Sequence, residues 1–102
     1  YSDNLKIAPE ALLSTVREGM IETELFDPQS IKLRAKEYKH VDVPNYDHFI
    51  YIQIRILAGR NIDQKKELTQ CIKKCIDTLS IPSVSLSIEV ADMEKESYIK
   101  TP

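Results

Sequence analysis

The stretch Tyr51–Leu68, YIQIRILAGRNIDQKKEL, changes its hydrophobic period halfway and so constrains the fold more than any other part of the chain. Up to Leu57, apolar residues alternate with other residues, which is the two-residue period of a half-buried strand. After Asn61, they recur every three or four residues, as in an amphipathic helix. Ala58-Gly59-Arg60 lies between the two patterns and predicts a tight strand-to-helix corner that carries one cation.

The second half of the chain therefore reads as strand, helix, strand. The first strand spans His48–Leu57, and the helix begins at Asn61, where Gln64 three residues later completes a capping-box pattern. The helix continues to Leu79, and Ser83–Val90 alternates again as the second strand. This order predicts one βαβ unit with parallel strands and a right-handed crossover.

The first half of the chain predicts a helix followed by a strand. The helix begins at Ala8, with Pro9 in its first turn, and fades near Phe26, because Asp27-Pro28 breaks it. Residues 30–39 alternate as a half-buried strand, and residues 40–47 form an exposed connection. Only Tyr1–Leu5 precedes the helix, so a strand is missing from the front if the two halves repeat. We expect one domain over 1–102, with halves at 1–40 and 48–91 and a tail at 92–102.

Composition indicates a globular chain and excludes several functions. Of the 102 residues, 42% are hydrophobic and 29% are charged, and the net charge of −2 predicts no affinity for nucleic acid or an anionic membrane. No apolar run reaches membrane-span length, and no signal peptide opens the chain. Cys71 and Cys75 lie four apart in a helical pattern, which predicts buried thiols in a reducing, cytoplasmic location.

Few residues suggest chemistry by spacing alone. Arg60 stands at a helix N-terminus, where an anion would bind, although the pattern alone favours a solvated arginine beside an ordinary turn. Arg55 lies opposite the isoleucine face of its strand and could pair with Glu89. His40 and His48 are isolated, which favours solvation or a local hydrogen bond over metal binding. No catalytic triad or phosphate loop is present, and we expect no metal and no cofactor.

Several segments, taken in order, resemble the 5-carboxymethyl-2-hydroxymuconate isomerase family of the tautomerase superfamily. Nearly the whole chain takes part. The segments are Tyr1-Ser2-Asp3-Asn4, Phe26-Asp27-Pro28, Ile31-Lys32-Leu33-Arg34-Ala35, Ile56-Leu57-Ala58-Gly59-Arg60, Leu86-Ser87-Ile88-Glu89-Val90 and Tyr98-Ile99-Lys100.

This resemblance implies an α+β tautomerase fold, in which two βαβ units form one sheet with both helices on one face. It also implies a homotrimer built around the sheets, which would cover apolar residues on the second sheet face. The implied reaction moves a proton within an unsaturated hydroxy or keto acid. An N-terminal proline is the base, and arginines bind the carboxylates of the substrate.

The resemblance carries over to Arg60, Arg34 and Lys32 as substrate-binding residues. Either Lys32 or Arg34 would contact the substrate, and Arg34 is favoured because a guanidinium binds a carboxylate bidentately. The alternative is that these cations form a solvated edge that discourages strand pairing between molecules. No residue within these 102 matches the family's proline, which would lie about six residues, or ~20 Å of extended chain, before Tyr1.

Three explanations of the missing proline stay open: a late start, an omitted segment, or a natural variant without the base.

The sequence leaves three candidate functions. The first is an isomerase for an anionic dicarboxylate or keto acid in the breakdown of aromatic compounds. The second is an inactive trimer of the same fold that binds an anion or a protein. The third is an unrelated ferredoxin-like domain with a regulatory sheet face.

Overall fold

The computed structural model describes all 102 residues and contains two helices and one pair of strands. In chain order, the elements are α1 (Pro9–Glu22), β1 (His48–Leu57), α2 (Ile62–Asp77) and β2 (Val84–Met93). Two short 3-10 turns lie at Pro28–Ser30 and Lys95–Ser97. Neither α1 nor α2 is long and apolar enough to cross a membrane.

The predicted βαβ unit is confirmed. β1 and β2 pair in parallel from His48 opposite Val84 to Leu57 opposite Met93. β2 continues three residues beyond the predicted Val90, because its pairing with β1 continues to the end of that strand. Lys65 on α2 also holds Asp92 near the end of β2, with 2.7 Å between its Nζ and a carboxylate oxygen.

One sheet face carries the hydrophobic core. Ile50, Ile54 and Ile56 of β1 are buried, while the intervening Tyr51, Gln53 and Arg55 are exposed. Both helices pack over the isoleucine face, as the resemblance implied. The buried hydrophobic residues of the helices are Leu12 and Met20 of α1 and Leu68, Ile72 and Ile76 of α2.

The two helices approach closely where α1 has a glycine. A Cβ added to Gly19 would lie 2.8 Å from the Cα of Ile72, which is closer than atoms pack. Gly19 is therefore a contact residue that brings the backbones together, rather than a flexible point in α1. Half-buried Cys71 and Cys75 lie on α2, and the Cys75 thiol is 3.9 Å from a carboxylate oxygen of Glu22.

Both helices end earlier than predicted, because the residues after them leave helical geometry. α1 ends at Glu22 rather than near Phe26, since Glu24 adopts a left-handed φ of 58°. The Thr23 hydroxyl also donates to the Met20 carbonyl, which satisfies a free group at the helix end. α2 ends at Asp77, and Ser80 adopts a φ of 51°.

The predicted strand over residues 30–39 is not formed as a ladder. Pro28–Ser30 is a 3-10 turn, and residues 31–37 form no ladder, although the Tyr1 amino group donates to the Lys36 carbonyl at 2.9 Å. Only Tyr38 pairs, through a parallel bridge to Ser2. A strand needs a partner along its whole length, and the Tyr1–Asp3 segment reaches only the last part of this one. The predicted alternation of side chains is confirmed for residues 31–34. Ile31 and Leu33 contact the core, whereas Lys32 and Arg34 are exposed.

The Tyr1–Asp3 segment lies between that extended stretch and β1. Asp3 N–H donates to the Tyr38 carbonyl, and Tyr38 N–H donates to the Tyr1 carbonyl. On the other side, Ser2 N–H donates to the Phe49 carbonyl at 3.0 Å. The segment therefore occupies the position of a strand between residues 31–38 and β1.

Candidate active site

The corner between β1 and α2 has the form that the sequence predicted. Gly59 has a φ of +134°, a conformation that residues with a side chain rarely adopt. Asn61 caps α2: its side chain accepts from Gln64 N–H at 2.8 Å, and the Gln64 side chain accepts from Asn61 N–H at 2.9 Å. The corner therefore holds Arg60 in a fixed place beside the start of α2.

The Arg60 side chain reaches across to the segment that follows α1. Its Nη2 donates to the Leu25 carbonyl at 2.6 Å, and its guanidinium lies 5.2 Å from the centre of the Phe26 ring. Hydrogen bonding and the cation–π contact together restrict the plane of the guanidinium. Arg60 is half-buried and has no carboxylate partner, so its other N–H groups are available to an anion.

A second arginine holds the same segment. Arg17 of α1 donates to the Pro28 carbonyl at 3.1 Å and to the Ile31 carbonyl at 2.9 Å. Residues 25–31, which we call the clamped segment, are thus fastened by Arg60 at the beginning and by Arg17 at the end. The clamped segment also carries a local hydrogen bond from Gln29 N–H to the Asp27 carboxylate.

The other two predicted cations follow the clamped segment directly. Lys32 and Arg34 are exposed, and neither forms an ion pair within the chain. The structure therefore places Arg60, Lys32 and Arg34 at or beside the clamped segment, without direct contact between them. Unpaired cations at these positions can bind carboxylates at a lower desolvation cost than cations already paired with acids.

Neither of the two main cavities contains these three cations. The larger is an open cavity of about 380 Å³ between the end of α2 and the start of β2, lined by Tyr46, Lys73, Ile76, Asp77, Ile81, Val84, Ser85 and Leu86. The other, of about 260 Å³, is polar and includes Ser2, Asn4 and His48. Within a single protomer, the predicted substrate-binding residues therefore lie outside both of these cavities, and Lys32 and Arg34 are exposed to solvent.

The histidines and the clustered acids form no metal site. His48 Nδ1 lies 3.2 Å from the Asn4 side-chain oxygen, which is the local hydrogen bond predicted for it. His40 is exposed, and no group of three or more His, Cys, Asp or Glu residues is placed to hold a metal ion.

The open sheet face carries a polar pair that sequence reasoning assigned wrongly. Arg55 was expected to pair with Glu89, but the register sets Gln53 opposite Glu89 and Arg55 opposite Ala91. Gln53 donates to the Glu89 carboxylate at 3.0 Å. This bond, followed by one from Tyr51, lowers the pKa of Glu89, and the bond to Glu89 raises the pKa of Tyr51.

The cysteines were predicted to be buried, and they are half-buried instead. Desolvation, followed by the nearby Glu22 carboxylate, raises the pKa of both thiols. Both groups are therefore protonated and weakly nucleophilic at neutral pH.

Sequence reasoning missed the partners of Arg60 and the role of Arg17. Phe26 was noted only at the helix end and in the Phe26-Asp27-Pro28 segment of the resemblance, and Arg17 was not singled out. The signal that was available is the Phe26-Asp27-Pro28 break, which predicts a turn but not what holds it.

The sequence profile of the 5-carboxymethyl-2-hydroxymuconate isomerase family matches residues 1–102, the whole chain. The chain belongs to this family. The resemblance found in the sequence is thereby confirmed. A search of curated protein sequences found no significant match.

A solved structure supports the fold assignment of this family member. The chain is similar to FG41 malonate semialdehyde decarboxylase inhibited by 3-bromopropiolate, with a TM-score of 0.67 and 14% sequence identity. The match covers 89% of this chain and 76% of that chain. At this level of identity the likeness shows the fold, and the α+β tautomerase fold predicted from sequence is confirmed.

Proposed function

We propose that this protein is a cofactor-independent isomerase that moves a proton within an unsaturated hydroxy or keto acid, such as 5-carboxymethyl-2-hydroxymuconate. The family assignment supports the reaction class. The observation that carries the proposal is the set of three cations without acidic partners, Lys32, Arg34 and Arg60, around the clamped segment. The substrate 5-carboxymethyl-2-hydroxymuconate carries several carboxylates, which such cations bind.

The base in this proposal is a proline at the start of a strand that precedes Tyr1. The parallel bridge from Ser2 to Tyr38 supports this position. If the same register continues for about six residues before Tyr1, the proline comes to lie beside Ile31, next to Lys32. Two edges along this path have backbone N–H and carbonyl groups without a strand partner. They are residues 31–37 and the side of β1 that faces away from β2, and the added strand would hydrogen-bond to both.

The proposed reaction needs only a base and cations. The neutral proline amine takes the proton from the 2-hydroxyl group, and electrons move along the conjugated chain to give a dienolate. Lys32, Arg34 and Arg60 stabilise the negative charge of that intermediate. The prolinium then returns the proton to a carbon atom, which gives the keto isomer and restores the amine. Nearby cations favour the neutral amine at physiological pH.

We also propose that three copies assemble through the open sheet face. Tyr51 and Leu57 on that face are 46% and 37% exposed in a single protomer, although they are large and apolar. A partner that covers them removes this surface from water. A neighbouring copy would also cover the surface beside the three cations and so complete a cleft.

The test compares two extended chains. One carries a six-residue strand beginning with proline before Tyr1, and its matched control begins with alanine. We expect isomerisation of 5-carboxymethyl-2-hydroxymuconate or phenylenolpyruvate by the proline chain, and a rate lower by about 10²- to 10⁴-fold for the alanine chain.

A folded, trimeric proline chain without activity would rule out the isomerase. The second candidate function, an anion-binding trimer without a base, is favoured by the same unpaired cations. It predicts equal binding of cis,cis-muconate by both extended chains and no turnover by either.

A further inference from the structure

We propose that Arg17 is a positioning residue that sets Lys32 and Arg34 for substrate carboxylates. The inference rests on the function proposed above and extends it to a residue outside the cation set. Arg17 is half-buried on α1, and its guanidinium joins two carbonyls on either side of one turn: Pro28 at 3.1 Å and Ile31 at 2.9 Å.

The contacts of Arg17 fix the backbone at Ile31, and this position sets the direction in which Lys32 and the residues after it leave the core. Ile31 is held at three points: its side chain is buried, its N–H donates to the Pro28 carbonyl at 3.3 Å, and its carbonyl accepts from Arg17. Lys32 is the next residue, and the backbone after it has no ladder partner until Tyr38. Within the protomer, Arg17 therefore makes the last backbone hydrogen bond before Lys32, and the Leu33 side chain contacts the core between the two cations.

An arginine suits this task and a lysine does not. Two carbonyls at different positions require two N–H donors at a fixed distance and angle from each other, which a planar guanidinium provides. An ammonium group has three donors, but it is a compact charge on a flexible stem and would fix the two carbonyls less precisely. Because a displacement of about 1 Å at a binding group lowers reactivity markedly, loosening this turn should weaken carboxylate binding.

Arg17 does not bind the substrate directly in this scheme. Both of its hydrogen bonds are to backbone carbonyls within the protomer, and it acts through the residues that follow Ile31. The effect of removing Arg17 must therefore disappear when Lys32 and Arg34 are removed as well. This dependence distinguishes a positioning residue from a direct ligand and from a residue that only stabilises the fold.

The test measures binding of cis,cis-muconate, an unreactive dicarboxylate, to the 102-residue chain. We expect Arg17→Gln to raise the dissociation constant about tenfold and Arg17→Lys to recover only part of the loss. In the background of Lys32→Gln with Arg34→Gln, Arg17→Gln should change the dissociation constant by less than twofold. In an active extended chain, Arg17→Gln should raise KM and also lower kcat, because Lys32 and Arg34 both bind carboxylates and stabilise the intermediate.

Two controls make the result specific. Glu18→Gln alters an exposed neighbour on α1 and should leave binding unchanged. Val16→Ala removes core packing from α1, so it should lower the melting temperature without raising the dissociation constant.

The inference is wrong if Arg17→Gln lowers the melting temperature but leaves muconate binding intact. It is also wrong if Arg17→Gln weakens binding equally with and without Lys32 and Arg34. Absence of muconate binding by the unsubstituted chain would overturn the cation site together with this inference. The isomerisation assay with the proline chain tests the reaction separately.

Discussion

Arg60 shows what a single residue contributes to this site and how far sequence predicts it. The corner Ala58-Gly59-Arg60 predicted a cation beside a helix N-terminus, and the structure has one there. Sequence did not predict that the guanidinium would reach the Leu25 carbonyl and the Phe26 ring, because those partners lie about 35 positions away along the chain. Long-range contacts of this kind depend on tertiary packing rather than on local pattern.

Phe26→Leu should weaken anion binding through Arg60. The substitution keeps an apolar side chain but removes the aromatic face over which the guanidinium lies. A cation–π contact at a partly exposed site contributes about 0.5–1 kcal/mol, so we expect muconate to bind about two- to fivefold more weakly. Calorimetric titration measures this change. Phe49→Leu is the matched control, and an equal loss in both variants would contradict the role of Phe26.

Tyr51 and Glu89 should titrate as a linked pair. Hydrogen bonding to Glu89 raises the pKa of Tyr51 above its ordinary value of 10.0. The contribution of Tyr51 to folding stability is therefore complete below the pKa that Tyr51 has in the unfolded chain. It is lost as pH rises through the pKa that Tyr51 has in the folded protein. For Glu89, whose pKa is lowered, stabilisation is present above the unfolded pKa and is lost as pH falls through the folded value.

Ring-labelled tyrosine NMR measures this link directly. Glu89→Gln should return the pKa of Tyr51 toward its ordinary value, whereas Ser87→Ala on the same face should leave it raised. A pKa of Tyr51 that does not respond to Glu89→Gln would show that the two groups are not hydrogen-bonded.

At the scale of elements, periodicity predicted those segments that find their partners nearby in the chain. β1, α2 and β2 are present because the two strands pair along their full length and α2 covers their isoleucine face. The strand predicted at residues 30–39 shows the same alternation but lacks a continuous neighbour, so only Tyr38 pairs. Alternation indicates which side chains are buried, whereas a ladder needs backbone partners that the pattern does not contain.

Asn61→Ala should destabilise the protein by removing the cap of α2. The Asn61 side chain accepts from Gln64 N–H, and this bond satisfies a free donor in the first turn. A cap of this kind contributes about 1 kcal/mol, which corresponds to roughly 4–8 °C in melting temperature for a domain of this size. Thermal unfolding at fixed protein concentration gives the value. Lys66→Ala, at an exposed position of the same helix, is the control, and an equal effect there would contradict the capping role.

At the scale of the whole molecule, the two faces of the sheet differ in what covers them. The helices cover one face, and the other presents Tyr51 and Leu57 to solvent in the protomer. Sequence predicted this second apolar face through the alternation of β1, and the resemblance supplied the proposed trimer. The composition of the cleft between copies could not be predicted, because it depends on the docking of surfaces that lie far apart in the chain.

Leu57→Lys should dissociate the proposed trimer. A charge on the open sheet face would have to be buried without a partner when copies assemble, which opposes association. Sedimentation should give about three times the protomer mass of 11.7 kDa for the unsubstituted chain and the protomer mass for the variant. Ile62→Lys is the control, because Ile62 is 63% exposed on α2, away from the sheet face. A monomeric unsubstituted chain would contradict the assembly.

We propose that Lys32 or Arg34, Arg60 and an N-terminal proline meet in one cleft. A crystal structure of the proline-extended chain with bound cis,cis-muconate tests it most directly. We expect carboxylate oxygens within about 3 Å of the Arg60 guanidinium and of Lys32 or Arg34, with the proline nitrogen facing the carbon chain of muconate. Muconate bound away from these residues would rule out such a cleft. So would an assembly in which Arg60 and Lys32 or Arg34, from the same or from different protomers, do not contact the same muconate molecule.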